Sequence, residues 1–566
     1  MSKASAASRR LFPMLLMALA APLAAGEIEL QATDAISELL TPYLPAEAGS
    51  RHKLEEQLGE ILATEGYFSP HLEFADSDGR LLLKVDPGPR TTIGEVNVAI
   101  DGPLAAATRA TLIAGWPLPV GRPFRQADWN TAKQQVLGEL LATEHAGARL
   151  VDSAAEIDTA SQRATLSAHY DAGPRYRFGE LRITGLQRYT PDLIERYNRV
   201  VHAGEPYRAD RLNTLQSTLQ ATPYFASVQA TLDPAASDAD TDADGTITAP
   251  VLLAVRERQP HRIGFGAGAS SNTGARVEVN YQTPNLFSQA WELNSGVRLE
   301  QKRQTAYADV FLPPDSKNRR HSVGLMAEGS DIQGLRTERY AFGAQTVQQR
   351  GSIEQRLSLN WQEERRNPDG APETTSRALV PNVMWTWRQV DSLLDPHHGI
   401  VLQAQIGGGA KAALSDQNFV RLHGRWLQYV PLGRVDTLTL RGEVGYTQAD
   451  SRRRIPQDYL FRTGGTGSVR GYAYQSLGIK EGAATVGGRY LGVVSAEATH
   501  WLNDSWGIAA FVDAGDAIDD LADIKLAVGY GLGARWRSPA GPIGVDLAYG
   551  QRTGEVQLHF SLAIPF

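Results

Sequence analysis

The sequence predicts a transmembrane β-barrel of about sixteen antiparallel strands, preceded by three small α/β domains. Three observations predict it. Beyond about residue 259 apolar and polar residues alternate with period two. Before that point a segment recurs at a spacing of 85 residues. At the start of the chain, a basic segment leads into a short apolar run.

The start of the chain reads as a secretory signal peptide over residues 1–26. Lys3, Arg9 and Arg10 supply the basic region, Leu11 to Leu23 the apolar run, and Ala24-Ala25-Gly26 the small residues for cleavage before Glu27. The apolar run falls short of the ~20 residues a spanning helix needs. No later segment is apolar for long enough to serve as one, so an exported chain of this kind crosses a membrane only with strands. The 566 residues are enough for several domains, and a net charge of −7 without a basic stripe argues against a nucleic-acid partner. With no Cys in the chain, disulfides and thiolate metal sites are excluded.

The first half mixes helical and strand patterns. Leu54, Leu58, Ile61 and Leu62 share one helix face, and Leu212, Leu215 and Leu219 another. "VDPGPRTTIGEV" (85–96) returns as "YDAGPRYRFGEL" (170–181), and "VGRPF" (120–124) as "AGEPY" (203–207). A fixed spacing means repeated copies of one unit. Each copy reads strand, helix, helix, strand, strand, which places domains at 27–89, 90–174 and 175–258. Asp240, Asp242, Asp244 and Gly245 imitate the start of a calcium loop. The twelfth position, however, is Val251 where a bidentate Glu is required, so a solvated acidic turn is the better reading.

From residue 259 to 566 the alternation defines sixteen strands, near 262–270, 275–283, 290–301, 304–313, 320–330, 336–348, 353–364, 376–390, 399–410, 418–431, 436–448, 487–501, 506–516, 524–538, 542–550 and 556–566. Alternate residues of a strand face opposite sides, so one face meets lipid and the other the lumen. In the last strand Val556, Leu558, Phe560, Leu562, Ile564 and Phe566 share the lipid face.

One connection stands out. Residues 449–486 separate two strands and contain "FRTGGTGSVRGY" (461–472), a length that points to function. Folded outward, Arg470 is an ordinary solvated charge; folded into the lumen, it needs a carboxylate. "VVSAEATHW" (493–501) turns Glu497 inward, and "FVDAG" (511–515) turns Asp513 and Gly515 inward. An inward acidic pair would clamp the loop through Arg470, in the segment that continues with Gly471 and Tyr472.

A barrel removes its edges only by pairing its first and last strands. The first is rich in small residues, with Gly264, Gly266 and Gly268, and sets register weakly. The last contains Pro565, which lacks a donor. The lateral seam between them, with Leu562 and Phe566 on its far side, is therefore expected to open at low cost. No P-loop, HExxH or nucleophile elbow is present. The glycines of "GFGAGA" (264–269) and "GYGLGARW" (529–536) open no helix, and His397-His398 lies in a turn where adjacent side chains diverge. No enzymatic activity, cofactor or metal is expected.

The "VRGY" loop, the "FVDAG" strand, the final Phe566 and the preceding repeats together resemble the BamA/TamA outer-membrane assembly superfamily, whose soluble modules are POTRA domains. The resemblance covers essentially the whole chain after the signal peptide. Three repeats with sixteen strands look most like the TamA branch, since BamA-type proteins carry five repeats and two-partner secretion transporters two. "RWRSPAGPIGVDLAYG" (535–550) resembles the same branch. The resemblance implies an outer-membrane barrel with periplasmic repeats, contact between Arg470 and Asp513, a TamB-like partner anchored in the inner membrane, and unfolded outer-membrane or autotransporter clients. A dedicated secretion pore and phospholipid transport are its alternatives.

Overall fold

In the computed structural model the described residues are 28–45, 50–77, 80–236, 240–433, 435–538 and 541–562. The expected signal peptide and Phe566 lie outside them, and of Leu562 only the backbone is described. The chain divides into two compact units. One runs to Arg182 and includes Val201–Asn213 and Thr231–Leu252; the other comprises Ile183–Val200, Thr214–Ala230 and the chain from Leu253 onward.

Before the barrel, the strand–helix–helix–strand–strand order occurs three times. The first sheet places Arg80–Asp86 between Ile28–Gln31, which runs parallel to it, and His71–Ser77, which runs antiparallel. The helix Arg51–Thr64 carries Leu54, Leu58 and Leu62 at four-residue spacing, and this buried stripe packs in one core with Leu83 and Val85 of the central strand. Leu58 and Leu62 are fully buried. Each therefore contributes about 1.5–3 kcal/mol of apolar transfer. The second sheet has the order Thr92–Asp101, Arg163–Asp171, Arg149–Asp158, again with the repeat's last strand in the middle. The third has Tyr176–Thr184, Ile247–Glu257, Phe225–Leu232. Its acidic turn is an addition: Asp240–Thr241 pairs with Thr248 and Ile247, and Asp244 bonds Arg175 at 2.8 Å. Val251 is a buried strand residue there.

The second unit is built on one sheet of sixteen antiparallel strands. In chain order they are β1 (Arg262–Ser270), β2 (Gly274–Leu286), β3 (Trp291–Glu300), β4 (Arg303–Phe311), β5 (Arg319–Ile332), β6 (Leu335–Arg350), β7 (Ile353–Pro368), β8 (Thr374–Val390), β9 (Gly399–Gly409), β10 (Phe419–Leu432), β11 (Asp436–Gln448), β12 (Tyr490–Trp501), β13 (Trp506–Ile518), β14 (Ala527–Ser538), β15 (Gly541–Gly550) and β16 (Glu555–Leu562). Every strand pairs with its sequence neighbour. Period two sets the faces: Val494, Val512, Leu532, Leu547 and Leu558 are exposed on the outer wall, while Thr499, Asp513, Asp546 and His559 are buried within. Strands β6, β7 and β8 have 16, 16 and 17 residues. A tilted strand needs only about 9–11 to cross the hydrocarbon, so these three extend beyond it.

Their projecting ends support the long connection between β11 and β12. That connection contains a small hairpin not read from the sequence, Ile479–Glu481 with Ala484–Val486. Thr485 N–H donates to Gln333 O at 3.0 Å and Ala483 N–H to Asp369 O at 2.8 Å, in the β5–β6 and β7–β8 turns. Glu481 bonds Arg366 at 3.3 Å and Arg452 at 3.0 Å. With its outer part held on this rim, the connection sends residues 463–474 down into the lumen.

Candidate functional site

Arg470 sits at the bottom of that descent, 4% exposed. Its Nε donates to Asp513 Oδ2 at 2.7 Å and its NH2 to Asp513 Oδ1 at 3.0 Å, a bidentate fork. NH1 reaches Glu497 at 2.6 Å on β12 and Asp546 at 3.2 Å on β15. The guanidinium carbon lies 3.4 Å from the centroid of the Phe511 ring, so the plane is stacked as well as bonded. Asp513, with no exposed side-chain surface, also accepts from Ser495 Oγ at 2.6 Å and from the Arg470 backbone N–H at 3.0 Å.

The charges balance locally. Arg535 of β14 donates to Glu497 at 3.0 Å and to Asp546 at 2.6 Å, and Arg441 of β11 lies 3.9 Å from Asp513 while donating to Ser468 O at 2.8 Å. Three guanidinium groups thus face three carboxylates, which avoids an unpaired buried charge. Sequence reasoning missed Arg535, Asp546 and Arg441. Each lies on the lumen face of its strand, a signal that alternation carries, but alternation does not say which lumen charges meet.

The wall is shaped to take the loop backbone. Gly471 has φ +87, a left-handed conformation, and a Cβ there would lie 2.8 Å from Gly550 N. A Cβ at Gly529, in "GYGLGARW", would overlap the Arg470 carbonyl oxygen. Tyr472 is buried; its hydroxyl donates to Val528 O at 3.0 Å and accepts from Arg552 N–H at 2.9 Å. Gly515 is closed in by Val469 of the loop and by Val493, both about 3 Å from a built Cβ.

The sequence leaves the state of the seam open and predicts it to be weak. The sheet is a path from β1 to β16, and no β1–β16 ladder is formed among the described residues. Among the described residues one hydrogen bond crosses there, Phe560 N–H to Ser271 Oγ at 3.2 Å. On β1, Gly264, Gly266 and Gly268 face Asn280, Glu278 and Arg276 of β2; on β16, Leu562 pairs with Ile543 of β15. The weak pairing has a local cause: a strand whose alternate residues are glycine offers few side chains to hold a partner in register.

His397, in the β8–β9 turn, accepts from Arg537 at 2.6 Å, and no group of His, Asp and Glu arranged for a metal occurs among the described residues.

A sixteen-stranded, nearly closed barrel with a lumen-anchored loop, preceded by small α/β repeats, is the architecture of an outer-membrane β-barrel protein. The Omp85 superfamily domain matches residues 259–566, and the chain belongs to that superfamily. It is 23% identical over 347 residues to outer membrane protein assembly factor BamA of Neisseria meningitidis serogroup B, a match covering 55% of this chain and 42% of that protein. The chain thus spans under half the length of this curated relative. Among solved structures, BamA from Haemophilus ducreyi lacking POTRA domains 1–3 superposes with a TM-score of 0.69 at 16% identity, over 83% of this chain and 98% of that one. CdiB from Acinetobacter baumannii aligns with a TM-score of 0.44 at 14% identity, over 93% and 97%.

Proposed function

We propose that this protein is a non-enzymatic assembly factor that inserts or exports outer-membrane β-barrel clients, autotransporters among them, through its lateral seam. The observation that carries the reading is the contrast between seam and clamp. Among the described residues the first and last strands share no ladder, while Arg470 holds β12, β13 and β15 together through buried charge-assisted bonds. An unpaired strand edge is a template for an incoming strand. The clamp keeps the wall in shape while that edge is exposed. The repeats are assigned to the periplasm as POTRA-like domains at 27–89, 90–174 and 175–258. Outer strands such as His71–Ser77 would receive clients or a TamB-like inner-membrane partner by strand addition. This is the TamA-type role; phospholipid transfer with the same partner is a subsidiary activity of the same assembly.

A dedicated secretion pore is disfavoured by the three repeats, since the two-partner secretion transporters of the same superfamily carry two. The test is the outer-membrane proteome with and without this protein. Depletion of several barrel proteins supports assembly. Loss of one secreted protein alone points to the pore, and an unchanged proteome rejects both.

A further inference from the structure

The lumen loop touches both sides of the seam within a few residues. On the first-strand side, Asn272 in the β1–β2 turn donates through Nδ2 to Thr466 Oγ1 at 2.9 Å. On the last-strand side, Gly471 N–H donates to Nε2 of His559, on β16, at 2.8 Å. Thr466 and Gly471 are five positions apart in the loop. The second bond requires a neutral imidazole with its proton on Nδ1. That Nδ1 is buried and has no hydrogen-bond partner. An apolar residue at 559 would avoid the orphaned donor, so the histidine costs stability there unless its Nε2 has a use. The bond to Gly471 is that use.

We propose that Asn272–Thr466 and His559–Gly471 form a two-armed latch, by which the lumen loop holds the first and last strands together in place of a β-ladder. Opening the seam then means releasing an arm while Arg470 stays bound to Asp513. Asn272 and His559 are positioning residues, distinct from the clamp. The proposal rests on the seam reading above and adds the element that controls it.

The Cys-free chain makes the test direct. In full-length protein carrying Ser271→Cys and Phe560→Cys, the rate of disulfide formation under a fixed oxidant reads how often the seam is closed. Adding His559→Leu or Asn272→Ala is expected to slow that rate about fivefold, the scale of one hydrogen bond. His559→Gln, which retains an acceptor, stays within about twofold. The thermal midpoint of the barrel should move little in Asn272→Ala and His559→Gln, since the Arg470 clamp is untouched and the Gly471 N–H keeps an acceptor. Unchanged rates in both His559→Leu and Asn272→Ala overturn the latch. If His559→Leu fails to fold, Asn272→Ala, in a half-buried turn outside the clamp, decides alone. The measurement uses purified protein without client, so a failed latch and a failed assembly role give separate results.

Discussion

Replacing Arg470 by Ala is the perturbation whose cost the structure specifies most closely. The side chain makes four bonds to carboxylates, at 2.7, 3.0, 2.6 and 3.2 Å. Adding four charge-assisted bonds independently gives roughly 6–12 kcal/mol, which overstates the loss. Glu497 and Asp546 both keep Arg535. The damage therefore concentrates on Asp513, fully buried and left with Ser495, one backbone N–H and Arg441 at 3.9 Å. A single buried carboxylate stripped of its main partner costs about 3–5 kcal/mol, and this is the magnitude predicted for Arg470→Ala. Arg470→Lys should recover less than half, because an ammonium cannot form the bidentate fork or stack on Phe511. Arg470→Ala with Asp513→Ala should cost less than the two single changes added, since the second removes the stranded charge. The assay is unfolding in lipid vesicles by denaturant, with the temperature at which heat-modifiable mobility is lost as a second readout. An Arg470→Ala variant within about 1 kcal/mol of wild type refutes the reasoning.

Gly529→Ala drives a methyl into the Arg470 carbonyl and should destabilise the barrel by about 2 kcal/mol or more, whereas Gly266→Ala, whose nearest neighbour is 3.8 Å away, should be near neutral; the same melts separate them. In the third repeat, Glu257 accepts N–H bonds from Gln187 at 2.8 Å and Arg188 at 2.9 Å and from Arg188 Nε at 2.7 Å. Burial pushes its pKa up, but these bonds outweigh burial and hold it below its ordinary value. Its stabilisation is accordingly present above the unfolded pKa of about 4.3 and lost as pH falls through the folded value, so amide protection at Gln187–Tyr189 should drop below about pH 4. Glu257→Gln should show the reduced protection already at neutral pH. Finally, Leu58→Ala should cost the first repeat about 2–5 kcal/mol, read by proteolysis of that repeat with the barrel's melt unchanged.

What the sequence discloses and what it withholds divides along a physical line. Alternation is local, so the strand sequence and the inward direction of Glu497, Asp513 and Thr499 follow from a few residues each. The buried stripe Leu54, Leu58, Leu62 is equally local. Contacts across the lumen are not. Asp546 and Arg535 carry the same inward signal as Asp513, yet nothing in their own strands says that they meet Arg470. His559 reads as one more polar residue on the lumen face of the last strand until the loop backbone is seen against it. Closure is the least local property of all. It depends on the tilt and register summed over sixteen strands, so the sequence shows a glycine-rich first strand but not whether that strand pairs with the last; among the described residues the bond from Phe560 to Ser271 crosses between them. The glycines of "GYGLGARW" read only as strand glycines that open no helix, because the object packed against Gly529, the carbonyl of Arg470, comes from a connection some sixty residues earlier.

The central claim is that the work is done at the seam. Its most direct test is to lock that seam with Ser271→Cys and Phe560→Cys and to measure the outer-membrane levels of barrel clients with the disulfide formed and after reduction. Client loss as severe as deletion of the protein is expected while the lock is closed, with recovery on reduction. Full client levels with the seam demonstrably locked would contradict it.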